Sequence, residues 1–290
     1  MLDLIFVVED PFEWHQENFK VNRKHYSALK WLGPAGIASF QEHWAARVYF
    51  NTLVPYNKGL LKYGVISKAS LITDLLDWEW LYISGRLHKP VRPLITTDSP
   101  ELTSALQLNL QSAVHAALLL LPETFTEEAL YKTLAGLSYS GDFRMVVGED
   151  KGKVSKIVLP QLEEFRKLYM PTLANLTQHV ELHTGHGEQD TSPAARLYHL
   201  NLLPKKILHE IVKEWNKDGR SHDVEDILRA AAHDTECPEV VAQAIRNTVY
   251  WSSLAQSLKG IVTAGLVKSV RYSGAKLKKM WKSLKITKRP

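Results

Sequence analysis

The sequence predicts an α+β fold, with strands and helices mixed over residues 1–95, helices beyond that, and a basic amphipathic helix at the C-terminus. Three observations predict it. Residues 47–66 hold two runs rich in β-branched and aromatic residues around a Pro-Tyr-Asn-Lys-Gly turn, the signature of a hairpin. From Ser99 onward apolar residues recur at helical spacing, with Ser99 placed as an N-cap and Pro100 at the first helical position. Finally, Leu277, Met280, Trp281 and Leu284 fall on one helical face, with lysines at the other positions.

The elements follow in order. Leu2 to Val8 is almost wholly apolar and is expected to be a buried strand, ended by Asp10-Pro11. Phe12 to Leu32 is expected to be helical with an interruption near Asn22, and Gly33-Pro34 is a breaker. Arg47–Val54 and Leu60–Ile66 form the hairpin strands, and Ser70–Trp80 a helix that leads toward Gly85-Arg86. The helix beginning at Pro100 runs to Leu121 and stops before Pro122. Thr126 caps another, with Glu127 and Glu128 in the first turn where the helix dipole favours acids. Pro160 opens a third. Residues 176–200 are polar and expected to be a loop, followed by helices at 204–216, 222–232 and 238–258. The expected division is 1–95, 96–175, 176–253 and 254–290.

Bulk properties exclude several classes. Of the 290 residues, 45% are hydrophobic and 23% charged, which rules out wholesale disorder. The lone Cys237 cannot form an internal disulfide, so nothing points to an oxidising compartment. No segment reaches the roughly 18–20 apolar residues of a membrane span; the best run, Ala113–Leu121, contains His115 and reads as the end of a buried helix. Net charge is +5, and residues 268–290 carry many lysines and arginines but no acid. Such a tail implies an anionic partner. The chain opens in what reads as a core strand, with neither signal nor transit peptide, so upstream sequence is expected to be missing.

Asp3 is the first candidate for chemistry, because a carboxylate among apolar neighbours needs a partner, a hydrogen-bond set or a metal. A strand-borne Asp is the kind of group that holds Mg²⁺ against a triphosphate; the alternative is an exposed residue at the strand edge. Ile5 occupies the position two residues on, and Glu9 lies about 20 Å along the strand, too far to share a metal. Lys62, Arg86, Lys89 and Arg92 offer cations for a triphosphate or lipid phosphate, or form a solvated surface. Ser140 to Arg144, with Gly141, Asp142 and Arg144, is either a phosphate- and metal-holding loop or a self-satisfied turn. His179, His183 and His186 are expected to make a poor zinc site, since a polar loop does not fix the rings. The basic tail, with Trp281 on its apolar face, suits a bilayer interface; the alternative is a helix docked on the protein's own core. Its continuous apolar face argues against RNA, and no nucleic-acid partner is expected.

Several stretches together carry a resemblance. They include Leu2–Pro11 with Glu13-Trp14-His15, His25-Tyr26-Ser27, Leu32-Gly33-Pro34, Lys62–Ser67, Leu81–Pro90, Gly136–Asp150, Lys259-Gly260 and Lys279-Met280-Trp281. In this order and spacing the chain resembles the mitochondrial phosphatidate cytidylyltransferase family. The resemblance implies a nucleotidyltransferase-like mixed sheet with helices, then a helical winged-helix-like domain and a C-terminal amphipathic helix. It implies transfer of CMP from CTP to phosphatidic acid, giving CDP-diacylglycerol and pyrophosphate for cardiolipin synthesis, on the matrix side of the mitochondrial inner membrane. Asp3, Lys62 and Arg86 are then the expected catalytic residues, with Asp3 holding Mg²⁺. Lys89, Ser140, Asp142 and Arg144 are expected to bind the nucleotide. Leu277, Lys278, Lys279, Met280, Trp281, Lys282 and Leu284 are expected to meet the anionic membrane. One departure stands out: the family carries a Tyr-Gly-Ser-Gly type loop upstream of the Asp strand, and this sequence starts after that point. An inactive chain, acting as a membrane-associated scaffold, is the alternative expectation.

Overall fold

The computed structural model describes residues 2–57, 59–147, 152–219 and 222–264. In chain order the elements are β1 (Leu2–Val8), α1 (Pro11–Asn22), α2 (Gly33–His43), β2 (Val48–Tyr56), β3 (Gly59–Ser67), α3 (Lys68–Asp77), α4 (Ser84–Leu87), α5 (Pro100–Leu120), β4 (Thr124–Thr126), α6 (Glu127–Gly136) and α7 (Phe143–Val147). They continue with α8 (Lys153–Val158), α9 (Leu162–Leu173), β5 (Val180–His183), β6 (His186–Gln189), α10 (Pro193–Asn201), α11 (Lys205–Trp215), α12 (Val224–His233) and α13 (Cys237–Ala264). The chain is mixed α/β, mostly helical, with two small sheets. It forms two compact units, one of residues 1–72, 143–150 and 251–290, the other of 73–142 and 151–250.

The first unit is built on a three-stranded sheet of order β1-β3-β2, in which β1 runs parallel to β3 and β2 antiparallel to it. The hairpin is where the β-branched runs place it. Its register slips between Asn51 and Val54, where Leu53 takes a positive φ, so the strand bulges. Asp10 does more than end β1: its carboxylate accepts from the backbone N–H of Phe12 and Glu13 and caps α1, with Pro11 at the first position. The expected interruption falls at Asn22, where α1 gives way to a 3₁₀ stretch kinked at Ser27.

The expectation of a buried β1 is corrected. Leu2, Phe6 and Val7 are exposed, because β1 is an edge strand that pairs only with β3 among the described residues. An apolar run signals full burial only when a strand has neighbours on both sides and cover on both faces. Here Leu4 and Val8 pack onto Val54, Tyr63 and Val65, and the partly exposed Phe6 ring rests edge-on against Tyr63.

Beneath this sheet lies a buried polar chain. His15 Nε2 is 2.9 Å from Gln41 Oε1, which can only accept, so that nitrogen carries the proton and Nδ1 accepts from Tyr26 Oη at 2.9 Å. Burial holds the imidazole neutral, its pKa lowered to about 4. Asn18 donates to Tyr26 and Tyr63, and His25 also meets the Tyr63 hydroxyl. The end of α13 completes the unit. Lys259, fully buried, donates to the carbonyls of Gln41 and Trp44 at 3.0 and 2.7 Å, capping the C-terminal end of α2. Desolvation lowers that lysine to about 7.

The second unit packs around α5, whose Ala113–Leu119 stretch is buried as the apolar run predicts. Ser99 caps it and Thr126 caps α6, both as expected. The aromatic rings of Tyr131, Phe165 and Tyr169 stack in the core. The expected loop at 176–200 is instead the β5–β6 hairpin followed by α10, and β4 joins it in a sheet of order β4-β6-β5. The strands are four residues each and largely polar, too short for their alternation to stand out from loop composition. Among the described residues no helix is long and apolar enough to cross a membrane.

Candidate active site

In the first unit the parallel register sets Asp3 directly beside Lys62, so both side chains rise from one face of the sheet. Lys62 Nζ lies 3.7 Å from Asp3 Oδ2 and 4.0 Å from the centre of the Phe50 ring. Phe50 pairs with Gly64 across the hairpin. A Cβ at position 64 would come within 2.5 Å of that ring, so the glycine is what lets Phe50 lie over β3 and support the ammonium through a cation–π contact. The Asp3 side chain is 40% exposed and that of Lys62 15%. Their attraction is therefore weak, and a solute can reach both charges. Glu9 plays no part here: it pairs with Lys68 at 2.6 Å.

In the second unit a buried hydrogen-bond scaffold shapes the segment that carries Arg86 and Lys89. Asp74, buried in α3, accepts backbone N–H bonds from Trp80, Tyr82, Ile83 and Ser84 at 2.9–3.3 Å. Burial pushes its carboxyl pKa up while those donors pull it down, and burial is the larger effect. Asn109 on α5 accepts from Trp78 Nε1 at 2.9 Å and His88 Nε2 at 3.1 Å, and donates to the Ser84 carbonyl. Tyr169 donates to the His88 carbonyl at 2.8 Å. Sequence reading missed Asp74 and Asn109. The signal was present in Asp74, a lone acid within Leu71–Leu76, and is the same one that singled out Asp3.

That scaffold brings cations together. Lys89 donates to the Gly85 carbonyl and to Ser138 Oγ, and its ammonium lies over Tyr139, as does that of Lys153. Burial, and then the charges of Arg86 and Lys153, lower Lys89 to about 7. Like charges held this close mark Lys89 as a candidate for contact with an anion. Gly85 is required by close approach: a Cβ there would lie 2.2 Å from Ser138 Cβ. Gly85→Ala, which favours a helix elsewhere, is expected here to destabilise by about 1–3 kcal/mol and to part Lys89 from Ser138. Chemical denaturation checks the first effect and the rate at which an amine reagent modifies Lys89 the second; unchanged values in both would contradict the packing described.

Ser140 and Asp142 follow Tyr139 in the second unit, and Asp142 is only 2% exposed, its N–H bonded to the Tyr139 carbonyl. Gly141 takes a φ of +79° and approaches the Arg246 carbonyl so closely that a Cβ would lie 2.5 Å away. Arg144 stands on α7, in the first unit. Arg92 is exposed in an irregular stretch. His179 stacks on Tyr198, with ring centroids 4.2 Å apart, while His183 and His186 face each other on the hairpin. The expected membrane-binding residues Leu277, Lys278, Lys279, Met280, Trp281, Lys282 and Leu284 lie outside the described residues.

The first unit thus sets a carboxylate beside a lysine, and the second gathers cations around Lys89. The family model described as phosphatidate cytidylyltransferase, mitochondrial, matches residues 1–279. The chain belongs to this family. The phosphatidate cytidylyltransferase of Danio rerio is 52% identical over 283 residues, covering 97% of this chain and 84% of the relative. That of Xenopus laevis is 50% identical over 98% of this chain and 85% of the relative, and that of Drosophila melanogaster 42% identical over 96% and 85%. The chain is thus a cytidylyltransferase of a mitochondrial family, a nucleotidyltransferase enzyme. Asp3, Lys62, Arg86, Lys89, Ser140, Asp142 and Arg144 all fall within the matched residues.

Proposed function

We propose that this chain joins CTP and phosphatidic acid into CDP-diacylglycerol, releasing pyrophosphate, at the mitochondrial inner membrane. The observation that carries the reading is the Asp3–Lys62 pair on adjacent parallel strands. A phosphate oxygen of phosphatidic acid attacks the α-phosphorus of CTP, a new P–O bond forms, and the bond to the β-phosphate oxygen breaks. The attacking phosphate is already anionic near neutral pH, so no side chain has to remove a proton. Positioning and charge neutralisation then account for the rate.

Asp3 fits a Mg²⁺ ligand. Mg²⁺ in triphosphate sites takes one or two carboxylates and completes its shell with substrate phosphates and water, and Asp3 offers one reachable carboxylate. When bound, the ion neutralises triphosphate charge. Lys62, resting on Phe50, meets a phosphate brought beside Asp3. Arg86 is assigned to phosphate charge, and Lys89, Ser140 and Asp142 to the nucleotide, within the second unit; Arg144 keeps its expected nucleotide role as a separate assignment in the first. We read the first unit as nucleotidyltransferase-like, with α1 and α2 packed on its mixed sheet. The second is read as winged-helix-like, its β5–β6 hairpin serving as the wing. The basic tail is assigned to the matrix face of the membrane, where it keeps the enzyme on a substrate that cannot leave the bilayer, and the product is assigned to cardiolipin synthesis.

The test incubates the purified chain with CTP, Mg²⁺ and phosphatidic-acid liposomes and measures CDP-diacylglycerol and pyrophosphate, with the Danio rerio enzyme alongside. Equimolar products that require all three components are expected. A folded chain that makes neither product while the relative makes both would overturn the proposal and leave a membrane-bound scaffold.

A further inference from the structure

The β5–β6 hairpin carries side chains that neither the transfer reaction nor the core uses. Its register sets His183 directly opposite His186, across the Thr184-Gly185 turn, and Glu181 opposite Glu188. Alternation along each strand puts these four residues on one face, while Val180 and Gln189 turn inward. Ligand atoms of His183, His186 and Glu188 all lie within 4.8 Å of one another. The two imidazoles stack with centroids 4.9 Å apart, and His183 Nε2 is 3.8 Å from Glu181 Oε1.

The backbone beneath these groups is fixed on several sides. Glu127 N–H donates to the Gly185 carbonyl at the turn. Gln189 N–H donates to the Glu123 carbonyl, and the Gln189 amide donates to the carbonyls of Leu118, Leu121 and Pro122. Gly187 lies so close to Phe125 that a Cβ would stand 2.7 Å from its ring. A mobile loop would make a poor metal site, but a braced hairpin holds its donors in place before an ion arrives. Two imidazoles and a carboxylate are the donor set of an open zinc site, with bonds of about 2.0–2.2 Å. Imidazole favours zinc and its neighbours over magnesium or calcium. Rotation of the exposed side chains suffices to bring the three donors onto one ion.

We propose that His183, His186 and Glu188 form a surface site for one Zn²⁺ ion, with Glu181 or water in the fourth position. The site stands apart from cytidylyl transfer and clips the hairpin turn. The test uses the full chain, purified without a histidine tag and stripped with chelator. Zn²⁺ is titrated against a chromogenic indicator, and Co²⁺ is followed by its visible absorption. The parent is expected to bind one equivalent that His183→Ala/His186→Ala loses, with its Co²⁺ bands. Glu188→Gln is expected to weaken binding by on the order of tenfold, the scale of losing one supporting group in a metal site. All four side chains are exposed, so the variants should keep the circular dichroism and melting point of the metal-free parent. Zn²⁺ binding of equal stoichiometry and affinity in parent and double variant would overturn the proposal, as would a parent that binds none.

Discussion

Asp3→Asn is expected to lower kcat by about 100–1,000-fold, roughly 2.7–4 kcal/mol, the size seen when one charge-stabilising group is taken from a reacting centre. Asparagine keeps the shape and removes the charge. Because the Asp3 side chain is 40% exposed and 3.7 Å from Lys62, the fold loses little, and the melting point should hold. Lys62→Met is expected to lower kcat/KM as well, leaving Phe50 without its cation. If both groups act on one phosphate, the double variant falls well short of the sum of the singles. Mn²⁺-dependent CTP binding, measured beside turnover, separates loss of the metal from loss of the nucleotide. An Asp3→Asn enzyme within threefold of the parent would remove Asp3 from the reaction.

Acid is expected to unfold the second unit before the first. His88, His115 and His199 of the second unit are buried, and desolvation lowers them to about 3, 4 and 3; His115 and His199 also face each other, Nδ1 to Nδ1, at 2.8 Å. Their folded pKa values lie below the unfolded value of 6.5, so below that pH the unfolded chain takes protons that the folded chain refuses. The stability they allow is complete above pH 6.5 and is lost as pH falls toward 4. Each costs about 1.4 kcal/mol per pH unit. The three together cost roughly 4 kcal/mol per unit, enough over one or two units to match the stability of a typical domain. His15 is the one such imidazole described in the first unit. Asp74, pushed up by burial, works the other way at lower pH. Hydrogen exchange resolved by segment between pH 7 and 5 reads this directly. Protection in residues 73–142 that does not change over that range would contradict neutral, buried imidazoles.

Local chemistry that the chain writes in single residues was legible in the sequence. Ser99, Thr126 and the hairpin strands stand where their residue types place them, since caps and β-branched runs act over a few positions. The burial of β1 was misjudged because an apolar strand reads alike at an edge and in a sheet interior. The 176–200 hairpin escaped notice because its pairing with β4 is a tertiary fact. For the site, Asp3 and Lys62 stand 59 residues apart in sequence, and only the parallel register brings them side by side. Asn109 was invisible: a polar residue on an amphipathic helix ordinarily faces water, and nothing local says that Trp78, Ser84 and His88 surround it. The same holds for Gly85, where the reason for a glycine lies at Ser138.

The capping of α2 by Lys259 fixes an order of assembly. The amide of Gln256 and the ammonium of Lys259 reach back 208 and 218 residues to Val48 and Gln41. A chain emerging from the ribosome exposes its first sheet early but cannot close that unit until α13 has been made, whereas residues 73–142 and 151–250 of the second unit are already out. The first sheet, made before the second unit, is therefore closed after it, and long-range closure of this kind is slow and leaves apolar surface waiting. A chain cut at residue 250 would keep every strand of the first sheet, yet leave the last carbonyls of α2 without their donor. Tags and fusions are accordingly expected to be tolerated after α13 far better than truncations that reach into it.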